Sequence, residues 1–197
     1  MAYIETWFPT AIYIQKKLFP KSVNEKWSNR ILEIQKEVPS GGIDWEGKTY
    51  TTHTTFDLKE DNIFDELISQ VTDHVKEFAA AHNSTALYSC QHAWANVSIE
   101  GNYQEYHTHD GSVFSAVYYP KVPEGSGALL FEDPRLPDML PIASIPERNN
   151  LSYHKVGYEA EEGMLVIFRS YLRHAVRAGS NKEPRISFAL NFGPDGV

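Results

Sequence analysis

A single cysteine, Cys90, stands in 197 residues, so no disulfide can form within the chain. That excludes a disulfide-stapled scaffold and fits a reducing compartment. Cys90 itself reads as a small buried hydrophobe rather than a reactive thiol. Cationic residues are in the minority, with 18 Lys and Arg against 26 Asp and Glu and a formal net charge of −8. A surface of that sign does not displace the counterions of nucleic acid or dock on anionic lipid, so neither partner is expected. No apolar run approaches the roughly 20 residues needed to cross a bilayer. No basic segment followed by an apolar run appears near Met1–Trp7, so no leader is visible and a soluble, cytoplasmic protein is expected. Internal repeats and low-complexity segments are absent too. What remains is room for one compact domain with a full core, residues 1–197.

The first third reads as helical support, about residues 20–83. Tyr3 to Leu18 alternates and is aromatic, which predicts an N-terminal strand broken by Pro9. Ser22 with Glu25 resembles a capping box. Trp27, Ile31, Ile34 and Val38 then recur at helical spacing until Pro39-Ser40-Gly41-Gly42 stops the helix. Residues 49–58 read as a connecting segment. Asp61 is placed to cap a second helix, whose stripe of Phe64, Leu67, Ile68, Val71, Val75 and Phe78 ends near His82-Asn83. Each helix has one apolar face, and only a sheet from the rest of the chain can cover it.

That sheet is expected from about residue 88 to 193. Residues 91–99 alternate, with His92, Trp94, Asn96 and Ser98 on one face. Glu100-Gly101-Asn102 turns the chain, and Tyr106 to His109 begins the next strand before Asp110-Gly111. Val113 to Tyr119 reads as a strand ended by Pro120, Gly127 to Phe131 as a short strand, and 133–150 as a long proline-rich loop. Arg135 and that loop are candidates for a lid or a dimer contact. Met164 to Phe168, Ala175 to Arg177 and Arg185 to Phe192 complete the set. Short strands joined by turns predict a mainly β protein with supporting helices, a jelly roll or cupin-like double-stranded β-helix, rather than a βαβ sheet.

The chemistry lies in a few side chains of these strands. His107 and His109 are about 6.6 Å apart along one strand face, so both imidazoles can converge on one ion. His174 opens a later strand. Three ligands with open positions suit non-haem iron. Arg185 shares a strand face with Ser187, Ala189 and Asn191, opposite Ile186, Phe188, Leu190 and Phe192. An Arg, Ser and Asn face inside a small barrel is costly unless it lines a cavity. A guanidinium there matches a carboxylate, with Ser187 and Tyr119 as further donors. Asn96 and Trp94 are expected to face the same cavity. Each residue alone also fits a plainer role: a strand-edge histidine pair, a hydrogen-bonded corner, an internal ion pair, an aromatic wall. His53, His74, His82, His92 and His154 show no partner spacing and read as structural or surface residues.

As a set, these motifs resemble the Fe(II)- and 2-oxoglutarate-dependent oxygenases, in particular a family related to prolyl 4-hydroxylases, over roughly residues 6–193. The matching stretches are Tyr106-His107-Thr108-His109, Ser115-Ala116-Val117-Tyr118-Tyr119, Ser126-Gly127, Phe131-Glu132-Asp133-Pro134-Arg135, Phe168 to His174 and Arg185-Ile186-Ser187. The resemblance implies a double-stranded β-helix with two supporting helices. It implies Fe(II), 2-oxoglutarate and O2 as cofactors, with His107 and His174 on iron and Arg185, helped by Ser187 and Tyr119, on the distal carboxylate. The activity implied is hydroxylation of a small-molecule or peptide substrate with decarboxylation of 2-oxoglutarate to succinate.

One position departs from the pattern. Most relatives carry an aspartate two residues after the first histidine, and here that residue is His109, with Asp110 next to it. Either His109 completes a three-histidine site, or a bulge turns Asp110 inward, or the position is vacant; the first is the working expectation. Two other readings compete with the oxygenase: a cupin-like metalloenzyme that uses no 2-oxoglutarate, and a non-catalytic jelly-roll binding module. A homodimer through the aromatic N-terminal segment is a further expectation.

Overall fold

The computed structural model describes residues 2–42, 46–135 and 145–195. Two antiparallel sheets face each other, and two helices back the larger one. The six-stranded major sheet runs β1 (Ile12–Gln15), β8 (Leu165–Arg169), β5 (Phe114–Lys121), β10 (Arg185–Pro194), β3 (Tyr88–Ser98) and β2 (Tyr50–Thr51). The four-stranded minor sheet runs β4 (Gln104–His107), β9 (His174–Val176), β6 (Leu129–Glu132) and β7 (Lys155–Tyr158). This is the jelly-roll arrangement that the strand spacing predicts. Two strands come from outside the expected barrel range, because the segments around residues 12–15 and 50–51 add edges to the major sheet.

Helices α1 (Lys21–Glu37) and α2 (Asp65–Ala81) lie on the back of that sheet. Alternation in β10 is the reason they stay there. Ile186, Phe188, Leu190 and Phe192 are fully buried toward Trp27, Ile31, Phe64, Leu67 and Val71. Trp27 packs edge-on against Phe19, Tyr118 and Phe188, and its indole N–H donates to the Ile63 carbonyl at 2.8 Å. A second apolar cluster, including Tyr119, Leu129, Phe131, Val166 and Phe168, fills part of the space between the sheets.

Several local expectations need correction. The helix starts at Lys21 after Pro20, with no side-chain cap, so Ser22 lies inside the first turn and makes no capping box. Asp61 caps a short 3-10 turn, accepting from the Ile63 N–H, and α2 begins four residues later. Pro120 does not end its strand. The β5–β10 register slips by one residue between Ile186 and Phe188, and a bulge there removes the need for the N–H that proline lacks. Strand β7 was not anticipated, since Lys155-Val156-Gly157-Tyr158 is too short and mixed to show a period. Of the loop at 133–150, residues 136–144 lie outside the described residues.

Candidate active site

The cavity between the sheets takes side chains from both. On the minor sheet, His107 ends β4 and pairs across the strands with His174, the first residue of β9. His109 lies past the end of β4, so strand alternation alone does not hold it. Its backbone N–H donates to the Ser170 carbonyl at 3.1 Å, which ties it to the corner leading to β9. The three rings meet, with centroids 4.2 Å apart for His107–His174, 5.0 Å for His109–His174 and 5.1 Å for His107–His109. One nitrogen of each lies within 4.8 Å of the others. Asp110 stays exposed, accepting from the Thr108 hydroxyl at 3.3 Å, and is not part of the cluster.

The backbone selects the tautomers. Nδ1 of His107 lies 2.7 Å from the Glu105 carbonyl, and Nδ1 of His174 lies 2.9 Å from that of Leu172. A carbonyl can only accept, so each Nδ1 carries the hydrogen and each Nε2 keeps a lone pair. Burial holds all three imidazoles neutral. It lowers His107, takes His109 down to about 3, and pushes His174 well below its ordinary value, with the neighbouring imidazoles adding to the last two. Phe168 and Phe131 wall His174 off from water at 4.6 and 6.1 Å between ring centroids. Three converging neutral imidazoles form a donor set that a divalent ion satisfies and protons do not.

Arg185 enters from the major sheet and is 2% exposed. Its Nε and Nη2 are sealed from solvent with no hydrogen-bond partner among the described residues, and so is the Tyr119 hydroxyl. The guanidinium carbon sits 5.0 Å over the Tyr119 ring. The two groups influence each other's ionisation, but no well-formed hydrogen bond joins them. Desolvation lowers the guanidinium and raises the phenol. A buried cation in this state is costly, and an anionic ligand would satisfy both its orphan N–H groups and the phenol. Ser187 and Asn96 line the same narrow cavity as Arg185 and the three histidines. The residues present thus suit a divalent metal at one end and a carboxylate at the other.

Three contributors escaped the reading of the sequence. Gln104 lines the cavity alongside His107 because β4 carries an extra residue between them, which turns both inward although they are three apart. Thr51 and His53 come from the segment that seemed to be a connector. The His53 ring stands edge-on to Trp94 at 4.7 Å, and its Nδ1 is buried without a hydrogen-bond partner among the described residues. No spacing in the sequence marks them, since only the pairing of β2 with β3 brings them in. Cys90 is half-buried rather than buried, and desolvation still pushes its thiol up to about 12.

Comparison with known proteins now adds to this geometry. A family model described as "Putative 2OG-Fe(II) oxygenase" matches residues 92–191. No curated protein sequence matches the chain. Among solved structures, the chain is similar to the viral collagen prolyl hydroxylase of Paramecium Bursaria Chlorella virus-1 in its 2OG complex, at 14% identity and a TM-score of 0.59, covering 92% of this chain and 94% of that one. It is similar to the Trichoplax adhaerens prolyl hydroxylase bound to a hypoxia inducible factor peptide fragment, at 12% identity and 0.67, covering 92% and 82%. It is also similar to HygX of Streptomyces hygroscopicus with nickel, 2-oxoglutarate and hygromycin B bound, at 10% identity and 0.62, covering 95% and 84%. Such low identities speak for the fold, a double-stranded β-helix. The family model covers half of the chain and every histidine of the cluster, and the protein belongs to the 2OG-Fe(II) oxygenase family, whose cofactors are Fe(II) and 2-oxoglutarate.

Proposed function

We propose that this oxygenase hydroxylates a small-molecule or peptide substrate, with His107, His109 and His174 holding the iron and Arg185 holding the far carboxylate of 2-oxoglutarate. The observation that carries the reading is the sealed, unpartnered guanidinium of Arg185 in one cavity with three imidazoles held neutral. When bound, Fe(II) and 2-oxoglutarate with O2 supply the oxidation, one oxygen atom entering the substrate and one entering succinate as carbon dioxide leaves.

The chain's own residues bind, orient and exclude water. The Glu105 and Leu172 carbonyls keep the hydrogens of His107 and His174 on Nδ1, so each Nε2 carries a lone pair and no hydrogen. Arg185, Ser187 and Tyr119 offer donors to one carboxylate, and Asn96 borders the same space, with its Oδ1 accepting from Gln104 at 3.4 Å. His109 in place of a carboxylate leaves the ligand set without negative charge, so the cosubstrate's own charge carries more of the neutralisation. A cupin-like enzyme without an oxo acid gives a buried Arg185 no purpose, and a binding module gives the neutral triad none.

A homodimer through the N-terminal segment belongs to the same proposal, supported by the exposed side chains of Tyr3, Ile4, Trp7 and Phe8. A cytoplasmic location is inferred from the lone, inert Cys90; among the described residues no helix is long and apolar enough to cross a membrane.

The test is anaerobic addition of Fe(II) and 2-oxoglutarate to the folded protein. A visible metal-to-ligand charge-transfer band is expected, lost in Arg185→Ala at cosubstrate concentrations that saturate the parent. A metal-loaded, folded sample without the band sinks the proposal.

A further inference from the structure

A cavity of about 270 Å³ opens beside His107 and His109, and Arg185 is not among the residues that line it. That is just below the span of small-molecule sites, roughly 300–1,000 Å³, so it suits one functional group with its near neighbours. Among the described residues that line it, none is Lys or Arg. The one formal charge, on Asp110, sits exposed at the rim, where water screens it. The interior polar groups beside the metal-site histidines are the uncharged side chains of Thr51, His53, Gln104 and Asn191, and Trp94 supplies an apolar wall.

Asn191 is not free to turn. The Ser115 hydroxyl donates to its Oδ1 at 2.9 Å and lies 2.8 Å from the Ser170 hydroxyl. Ser115 has one proton and gives it to Asn191, so Ser170 must donate to Ser115. Ser115 and Ser170 are 2% and 1% exposed, and a buried hydroxyl chain of this kind has one favourable direction once each group is satisfied. The Ser170 corner also holds the His109 backbone. With its oxygen taken, Asn191 turns Nδ2 toward the cavity. Those N–H groups have no partner among the described residues and are not sealed off.

We propose that Asn191 is the substrate-positioning residue of this oxygenase, and that its Nδ2 donates to an uncharged acceptor, an amide carbonyl, on the group placed beside the metal. The idea rests on the reaction proposed above and narrows its substrate class. The Ser115–Ser170 hydroxyl pair acts through Asn191, by keeping the donor end of the amide facing in.

The experiment uses 15N-labelled protein loaded with Zn(II) and 2-oxoglutarate, following the Asn191 side-chain amide signals. The probes are three small molecules of like size: N-methylacetamide, propionate and propylammonium. N-methylacetamide is expected to shift the Asn191 pair at concentrations several-fold below the other two. Asn191→Asp replaces the donor with an acceptor and should reverse the order in favour of propylammonium. Asn191→Ser, a milder change, should simply weaken N-methylacetamide. Ser115→Ala should weaken it about five-fold, the effect of one ordinary hydrogen bond. Propionate or propylammonium binding the parent protein as well as the amide overturns the proposal. So does a shift of other cavity signals without the Asn191 pair, or no shift from any probe. Failure to take up one Zn(II) and one 2-oxoglutarate instead removes the metal and cosubstrate assignment, so the two failures are told apart.

Discussion

The two sheets that form the site are covered in different ways. The major sheet is covered on both faces, by helices behind and by the second apolar cluster and the cavity in front, and its central strands are apolar on the helix side without exception in β10. The minor sheet has an outer face open to water, lined by a charged cluster. There the Tyr106 ring lies under Lys155 at 4.8 Å and Arg173 at 5.1 Å, and both cations pair with Glu132, at 3.0 and 2.7 Å. Tyr106, Glu132 and Lys155 come from β4, β6 and β7, and Arg173 immediately precedes β9, so the cluster stitches the whole sheet directly behind His107 and His174. The sheet whose packing is strongest carries the buried cation that needs the firmest support. The sheet with an open face carries the histidines, whose own backbone carbonyls orient them.

The largest effect should come from breaking the major sheet. Phe188→Ala removes a fully buried ring between β10 and the helices, and a loss of about 3–5 kcal/mol is expected in chemical denaturation. A loss below about 1 kcal/mol would mean that this sheet is no better packed than the other. Arg185→Met should move stability the opposite way. Replacing an unpaired buried cation with an apolar chain of similar length should stabilise the ligand-free protein by about 1–3 kcal/mol, while abolishing the rise in melting temperature that 2-oxoglutarate gives the parent. If the ligand-free variant is less stable than the parent, Arg185 has a protein partner after all.

Acid should act on the histidines of the minor-sheet side. Their folded-state values lie below the ordinary 6.5 because of burial, reaching about 3 at His109. Below pH 6.5 the unfolded chain therefore binds more protons than the folded one. Stability of the metal-free protein is full above that pH and falls as the pH drops through it toward the folded values. Melting temperatures at pH 7.5, 6 and 5 should decline in order, and His109→Gln should flatten the trend; a level profile would show the rings to be hydrated. The smallest effect belongs to the outer face. Glu132→Gln weakens two ion pairs whose cations are each more than half exposed, so under about 1 kcal/mol is expected from the urea midpoint. A larger loss would show that the charged cluster, rather than strand pairing, holds the minor sheet together.

Much of this was legible along the chain because its periods are short. The two-residue repeat of Arg185, Ser187, Ala189 and Asn191 against Ile186, Phe188, Leu190 and Phe192 separated the cavity face from the core face, and the structure keeps that division. The same repeat put Trp94 and Asn96 inside. Gln104 broke it, because an extra residue in β4 is invisible without its partner strand. Thr51 and His53 were hidden for a related reason: β2 is two residues long, and its place at the sheet edge comes from β3. The caps failed more simply, since Pro20 began α1 two residues earlier than the Ser22 pattern suggested.

Taken alone, the order of residues determined the β-rich fold class and the face of each long strand that is buried, with Arg185 on the polar face of its own strand. These follow from alternation, which depends only on near neighbours. Only the tertiary structure decided that His109 rather than Asp110 joins the cluster, that two Arg185 N–H groups find no acceptor among the described residues, and that Asn191 turns its amide N–H into the cavity. Each of those depends on groups far away in sequence: the Ser170 carbonyl, the sealed space around Tyr119, and a hydroxyl pair from β5 and the corner before β9. Hydrogen bonds and desolvation act over a few ångströms in space, and only the folded chain brings those distances about.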